Sequence, residues 1–197
     1  MEEQIMNMPA VALRGLTILP GMIAHFDISR ERSLRAVEEA MEQDQKIYLV
    51  TQRNVDSEDP TQEDLYQMGI VADIKQVVRL QNDVVRILVD GISRAALLGF
   101  TGNEKYLEAE ICYCDSNADS LPEDLREAML LGVREAFHRY AAVVGKISKE
   151  LIRQIDQYED LEKLIDYVTN NLPVSYELKQ QVLEAEDIND RYQVIVS

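Results

Sequence analysis

The spacing of apolar residues changes once along the chain, near the polar stretch DSNADS at residues 115–120, and this change constrains the fold most. Before it, apolar residues alternate or form short continuous runs, which is typical of strands. After it they recur every three or four residues, which is typical of helices that pack on one face. The chain of 197 residues is long enough to bury a core without a metal or a disulfide. The pattern predicts an α+β protein in which a β-rich subdomain, residues 1–116, precedes an antiparallel helical bundle, residues 117–197.

About six strands and one early helix are predicted in the β-rich half. The helix spans about residues 30–43 and turns Leu34, Val37, Ala40 and Met41 toward the core. Gln81-Asn82-Asp83 tolerates left-handed backbone and predicts a hairpin turn. Such a set of strands closes most economically as a small barrel or a pair of packed sheets. The predicted strands are residues 11–19, 25–28, 46–51, 71–80, 84–89 and 106–113.

Five helices are predicted in the second half. The first begins near Pro122 and ends at Gly145, and Ser148 caps the second. The predicted core face of the first helix consists of Leu125, Met129, Val133, Phe137, Tyr140 and Val144. The last helical pattern stops at Ser197 without a Gly, Asn or Pro to close it. We interpret it as a helix that is cut short and continues in a longer protein.

The balance of charge excludes several classes of partner. The chain carries 36 acidic and 20 basic residues, a net charge of −16, which repels phosphate backbones and anionic lipid heads. No segment has the apolar length of a membrane span, and the start MEEQIMNMPAV lacks the pattern of a signal peptide. We therefore expect a cytoplasmic protein that binds no membrane and for which nucleic acid is an unlikely partner.

The residue types that carry catalysis or bind metals do not form a recognisable site. Cys112 and Cys114 are two residues apart, which is at best half of a metal site, and reduced structural thiols are expected. His25 and His138 lie in different predicted subdomains. The segment VGKIS at residues 144–148 lacks the upstream Gly and the Ser or Thr of a phosphate-binding loop. We expect no catalytic residue, no cofactor and no metal in this chain.

Several short motifs, in order and at characteristic spacing, carry a family resemblance. In the first half they are Leu13-Arg14, Pro20-Gly21-Met22 and Arg30-Glu31-Arg32-Ser33. In the second half they are Tyr158-Glu159-Asp160-Leu161, Asn171-Leu172-Pro173-Val174, residues 179–184 and residues 187–191. Together they cover nearly the whole chain, which resembles the N-terminal domain of Lon, the ATP-dependent serine protease. The resemblance implies a PUA-like pseudo-barrel for the β-rich half.

The resemblance also implies a function, namely the substrate-recognition and oligomer-assembly domain of a protease that degrades misfolded and regulatory proteins. The implied partners are unfolded or damaged proteins and other Lon subunits in a hexamer. ATP and Mg²⁺ are implied only for an ATPase module, which this chain lacks, as it lacks the Ser–Lys peptidase. The alternative is a free-standing Lon-like adaptor that binds a peptide or small ligand without an attached protease. RNA binding is a third possibility for a PUA-like fold, and the acidic charge argues against it.

The candidate substrate-binding residues surround a tight turn. Leu16, Leu19, Pro20, Met22 and Ile23 either pack against the neighbouring helix or form an exposed apolar patch for unfolded polypeptide. Arg32 and Arg35 on the polar face of the first helix either contact substrate or a neighbouring subunit, or form a solvated surface. Both alternatives stay open at this stage.

A first prediction concerns activity. The purified chain should hydrolyse neither ATP nor peptides, because it contains no nucleotide loop and no nucleophile setting. Phosphate release and casein cleavage are the measurements. ATP-dependent casein cleavage by this chain alone would contradict the prediction.

Overall fold

The computed structural model describes residues 4–197, which divide into two compact units between Cys114 and Asp115. The N-terminal residues 1–3, on which the expectation about a signal peptide partly rests, lie outside the described residues. Whether residues 1–116 and 117–197 are independent folding domains stays a prediction. Within the described residues no helix is long and apolar enough to span a membrane.

The first unit contains six strands and one α-helix among its described residues. In chain order they are β1 (Ile5–Leu13), β2 (Ile23–Ile28), α1 (Glu31–Glu42), β3 (Lys46–Thr51), β4 (Met68–Arg79), β5 (Val85–Phe100) and β6 (Glu108–Tyr113). The sheet order is β2-β5-β4-β3-β1-β6, and β5 also pairs with β6. This last pairing closes five strands into a barrel and leaves β2 attached to β5 alone.

The strands of the barrel carry a core on each side. Ile47 and Leu49 of β3 join the core that α1 and β2 cover, whereas Tyr48 and Val50 join the core on the other side. Both faces of β3 are therefore buried, as its continuous apolar run predicts. The Tyr48 hydroxyl donates to the carbonyl of Ala95 at 3.0 Å, so its one polar group is satisfied inside this core.

The second unit contains five α-helices within residues 115–197. They are α2 (Glu123–Val144), α3 (Lys149–Gln157), α4 (Leu161–Asn171), α5 (Tyr176–Glu184) and α6 (Ile188–Val196). Gly145 ends α2 with a φ of +66°, and the Ser148 hydroxyl accepts from the N–H of Leu151, as predicted. The α+β class, with a helix inserted among strands and helices after them, is confirmed.

A buried arginine joins three segments of the helical unit. The Arg191 side chain is 2% exposed and forms an ion pair with Glu162 of α4 at 2.5 Å. Its guanidinium also donates to the carbonyls of Ala185 and Glu186, so several partners surround the buried charge. Burying this charge is tolerated because it is paired and hydrogen-bonded.

Some strand bounds predicted from the sequence are wrong. The predicted strand at residues 11–19 is β1, which begins earlier at Ile5 and ends at Leu13, where Arg14 and Gly15 turn the chain. The predicted strand at residues 84–89 continues to Phe100, because Asp90 and Gly91 lie inside β5 and do not end it. The hairpin turn is confirmed, since Asn82 and Asp83 have φ values of 59° and 58°.

The predicted core faces of two helices are partly wrong. The buried face of α1 is formed by Ser33, Ala36, Val37 and Ala40, whereas Met41 is exposed. Small residues on this face allow the helix to lie close to β1 and β3. In α2, Leu125 and Val144 are exposed, and Leu130 takes a buried position instead.

A second prediction concerns Gly91 in β5. A methyl group there would lie 2.9 Å from the Cδ1 of Ile70 and still closer to the carbonyl of Leu19. Gly91→Ala should therefore lower the free energy of unfolding by about 1–3 kcal/mol, measured by urea denaturation. Gly99→Ala in the same strand is the matched control, because its methyl group would meet nothing closer than 3.6 Å. Equal stability of the two variants would contradict the close approach at Gly91.

Candidate functional site

The turn that precedes β2 is fixed to β5 by backbone hydrogen bonds. The N–H of Gly21 donates to the carbonyl of Gly91 at 2.8 Å, and the N–H of Gly91 donates to the carbonyl of Met22 at 2.9 Å. The N–H of Met22 closes the turn on Leu19 at 3.1 Å, and Gly21 adopts a φ of +74°. Glycine suits this position because it adopts positive φ without a steric penalty. The turn is thus a rigid part of the sheet.

Of the five apolar residues around this turn, Leu16 is half-buried and packs against the core, and the other four differ in exposure. Leu19 is fully buried, so this residue belongs to the core and not to the candidate surface. Pro20 and Met22 are half-buried, and Met22 packs against the core from its edge. Ile23 is 68% exposed, which makes it the most exposed apolar side chain of this region. The turn therefore divides into a buried anchor and an exposed apolar end.

The outer face of β2 continues from Ile23 toward charged residues. His25 lines a shallow groove of about 240 Å³ with Gln76, Val78, Arg86 and Leu88. Next to it, Arg86 donates to both carboxylate oxygens of Asp27, at 2.7 and 2.9 Å. The hydrogen bond from Arg86 lowers the pKa of Asp27, with a smaller coulombic contribution from the same residue. The one acidic group on β2 is therefore already paired.

A cleft lies beyond the other end of β2, at the start of α1. Its volume is about 530 Å³, and Arg14, Arg30 and Arg32 line it together with the acidic residues Glu31, Glu58 and Asp59. Arg30 donates to the carbonyl of Ala12 (3.0 Å), the side-chain oxygen of Gln52 (2.9 Å) and the carbonyl of Glu58 (3.2 Å). Arg14 donates to the carbonyl of Ser57 at 2.9 Å. These two arginines are held by uncharged acceptors.

The charge of Arg30 is only partly compensated. Burial lowers the pKa of Arg30, the nearby positive charge of Arg14 lowers it further, and Asp59 acts in the opposite direction. A guanidinium still keeps its charge, because its ordinary pKa is far above neutral pH. The cleft thus contains three arginines and three acidic residues, so its formal charges balance, and Arg14 and Arg30 are the two arginines that donate to uncharged acceptors.

The structure places the two candidate arginines of α1 differently. Arg32 lines the cleft, donates to the carbonyl of Asn103 at 3.1 Å and lies 3.7 Å from Asp59. Arg35 pairs with Glu31 on the exposed face of α1. A six-residue strand is about 20 Å long, so the turn at Ile23 and the cleft at Arg30 lie roughly that far apart along β2. Except for Arg35, the candidate residues therefore lie in two regions, one at each end of β2.

Sequence reasoning gave no functional role to Arg14 or Arg30. Both belong to the motifs that carry the family resemblance, Leu13-Arg14 and Arg30–Ser33. Membership of these motifs was the signal in the sequence that could have indicated a role for them. Their proximity depends on β1 and β2 ending side by side, which the sequence pattern does not specify. Within residues 4–197 no group of three or more His, Cys, Asp or Glu side chains is placed to hold a metal ion.

The comparisons with known proteins agree with this architecture. A family model described as the ATP-dependent protease La (LON) substrate-binding domain matches residues 7–197. The chain belongs to this family. The resemblance stated from the sequence is confirmed, and the chain is a Lon substrate-binding domain.

Curated relatives place this domain within a longer protein. The chain is 36% identical over 193 residues to the Lon protease of Lachnoclostridium phytofermentans, covering 98% of this chain and 24% of that protein. It is 35% identical over 194 residues to the Lon protease of Clostridioides difficile, covering 97% and 25%. The chain therefore spans about a quarter of the length of the curated relatives that it matches.

Solved structures show the same fold at lower sequence identity. The N-terminal domain of a Mycobacterium avium complex Lon protease superposes with a TM-score of 0.79 and 18% identity, covering 97% of this chain and 96% of that one. A Lon N-terminal domain protein from Xanthomonas campestris gives a TM-score of 0.65 and 13% identity, covering 95% of both chains. These matches support the fold of the Lon substrate-binding domain.

A third prediction concerns Arg30. Arg30→Lys keeps the charge but cannot reach three separate acceptors, so it should lower the free energy of unfolding by about 1–3 kcal/mol. Arg32→Lys, two residues further along at the start of α1, is the matched control, and we expect a change within about 0.5 kcal/mol because Arg32 is more exposed. Urea denaturation of both variants is the measurement. A stability loss that is larger for Arg32→Lys would refute the structural role assigned to Arg30.

Proposed function

We propose that this Lon substrate-binding domain captures unfolded or damaged protein segments in the cytoplasm for degradation by an attached protease. In that arrangement the ATPase and Ser–Lys peptidase modules of a longer polypeptide use ATP and Mg²⁺, and this domain supplies recognition. The observation that carries the proposal is Ile23, which is 68% exposed at the end of an ordered turn.

An exposed isoleucine on a rigid strand distinguishes unfolded from folded proteins. A folded protein has already buried most of its large apolar side chains, whereas an unfolded segment presents them to any apolar surface. Covering one such side chain contributes about 1.5–3 kcal/mol. The turn is held to Gly91 by two hydrogen bonds, so little ordering of the domain is needed on binding.

A single contact of this size gives weak binding, which fits an oligomer. We propose that the domain acts within a homo-oligomer, a hexamer in the longer protein, because several linked copies raise the overall affinity without new contacts. Residues 1–116 and 117–197 are the proposed separable units within each copy. In this proposal the first unit carries the recognition surface, since the exposed turn and the arginine-lined cleft both belong to it.

The alternative of a free-standing adaptor is less well supported. Each relative named above is a Lon protease about four times as long as the matched segment. No observation on this chain favours a small-ligand site that would replace the protease context. The acidic net charge of −16 continues to argue against nucleic acid as the partner.

A fourth prediction tests the proposed recognition surface. Ile23→Ser should weaken binding of a permanently unfolded probe, reduced and carbamidomethylated α-lactalbumin, by about tenfold, because it removes most of the apolar contact. Its thermal stability should change little, since the side chain is exposed. A fluorescence-anisotropy titration and a melting curve on the same sample provide the two measurements.

The matched control is Ile5→Ser. Ile5 is 60% exposed and lies at the start of β1, so the two variants remove the same side chain from surfaces of similar exposure. We expect Ile5→Ser to bind the probe like the unaltered chain. Equal loss of binding in both variants would mean that apolar exposure in general, and not this turn, determines recognition.

A further inference from the structure

The free edge of β2 is a second feature of the recognition surface, distinct from its side chains. Among the described residues β2 pairs with β5 only and stands at the end of the sheet order. Which backbone groups point to the free edge follows from the hydrogen-bonding pattern, because alternate residues of an antiparallel strand bond to the same neighbour.

The register determines this alternation. The N–H of Gly91 donates to the carbonyl of Met22, so this pair occupies a hydrogen-bonded position. Every second residue of β2 occupies an equivalent position, so Ala24, Phe26 and Ile28 also form hydrogen bonds with β5. The backbone N–H and C=O groups of Ile23, His25 and Asp27 therefore point away from β5.

The pairing of β5 with β4 leads independently to the same alternation in β2. At the hairpin, the N–H of Leu80 donates to the carbonyl of Val84, which places Val84 in the ladder with β4. Every second residue of β5 behaves alike, so the backbone groups of Arg86 and Leu88 also form hydrogen bonds with β4. The intervening residues Val85, Ile87 and Val89 remain for β2, and they are the partners of Ile28, Phe26 and Ala24.

The edge lacks the features that usually prevent another strand from pairing. The sequence of β2, IAHFDI, contains neither proline nor lysine, and its register with β5 has no bulge. Its one charged residue, Asp27, is paired with Arg86 across the strand, so this carboxylate does not stand alone at the edge. An edge of this kind accepts an additional strand.

Space for a partner lies beside the second half of this edge. A groove of about 290 Å³ is lined by residues 26–30 on one side and by residues 11–14 and Leu16 on the other. It shares Arg14, Arg30 and Ser33 with the larger cleft. A segment that follows β2 away from Ile23 therefore ends beside Arg14 and Arg30, which donate to carbonyl and amide oxygens.

We propose that an extended segment of unfolded polypeptide adds to β2 as a further strand. Its backbone pairs with Ile23, His25 and Asp27, an apolar side chain covers Ile23, and an acidic residue reaches the cleft at Arg14 and Arg30. The backbone hydrogen bonds give binding that does not depend on the sequence of the segment. The contacts at Ile23 and at the two arginines favour segments with an apolar residue at one end and an acidic residue at the other. This inference rests on the proposed function and specifies how the substrate is held.

Amide hydrogen exchange of the full 197-residue chain tests the proposal directly. NMR measures exchange with and without a saturating amount of reduced, carbamidomethylated α-lactalbumin. Strand addition should slow exchange at Ile23, His25 and Asp27 at least tenfold, while Ala24, Phe26 and Ile28 change little because β5 already protects them. Binding without slower exchange at the three outward amides would overturn strand addition and leave the proposed function standing. Absence of binding would overturn both.

A pair of variants at His25 separates the backbone from the side chain. His25→Pro removes an outward N–H and leaves the β2–β5 ladder intact, since proline is tolerated on edge strands. His25→Ala removes the imidazole and keeps the N–H. We expect His25→Pro to weaken probe binding at least fivefold and His25→Ala to bind normally. Equal binding by the two folded variants would contradict the proposal, and if His25→Pro fails to fold, the exchange measurement on the unaltered chain decides.

A second copy of this chain is the competing occupant of the edge. Sedimentation velocity of the free chain, together with the same exchange measurement at several concentrations, identifies it. Protection of Ile23, His25 and Asp27 that rises with concentration and accompanies a dimer would assign the edge to self-association and overturn the proposal. A monomer with rapidly exchanging outward amides supports it.

Discussion

The closing of the barrel by β5 is the constraint on which the rest of the first unit depends. The first half of this 16-residue strand pairs with β2, and residues 95–100 pair with β6. Gly91 lies where the strand changes partners, and both its N–H and its C=O hold the turn before β2. Because β6 completes the barrel in place of β2, closure itself leaves β2 with an unpaired edge.

Arg30 gives the far end of β2 its defined position. Its guanidinium connects the carbonyl of Ala12 in β1 with Gln52 after β3 and with the loop at Glu58. Gln52 is itself buried and donates to the carbonyls of Asn54 and Ser57, so one side chain organises the next. The same contacts that build the loop also hold a positive charge at the end of the groove, which links stability to recognition.

Local signals in the sequence were sufficient for elements and caps, but not for topology. The alternation in β6, the left-handed turn at Asn82 and the cap at Ser148 depend on neighbouring residues, and each was predictable. The length of β5 was not, because Asp90 and Gly91 are typical of a turn and only tertiary pairing keeps them in a strand. Whether Leu19 is buried was left open for a related reason, since burial of a loop residue depends on what packs over it. The free edge of β2 follows from the sheet order, which no local pattern encodes.

The acidic charge of the chain has a consequence for this edge. An unpaired strand edge beside an exposed isoleucine favours association between copies, which is a hazard for proteins in general. Two copies that approach through β2 each bring a net charge of −16, so their mutual repulsion opposes pairing. An unfolded segment of lower charge meets less repulsion, and an acidic residue within it is drawn to Arg14 and Arg30. The net charge therefore opposes pairing with a second copy, and Arg14 and Arg30 attract an acidic residue of a bound segment. Together these two effects favour a foreign extended chain over a second copy.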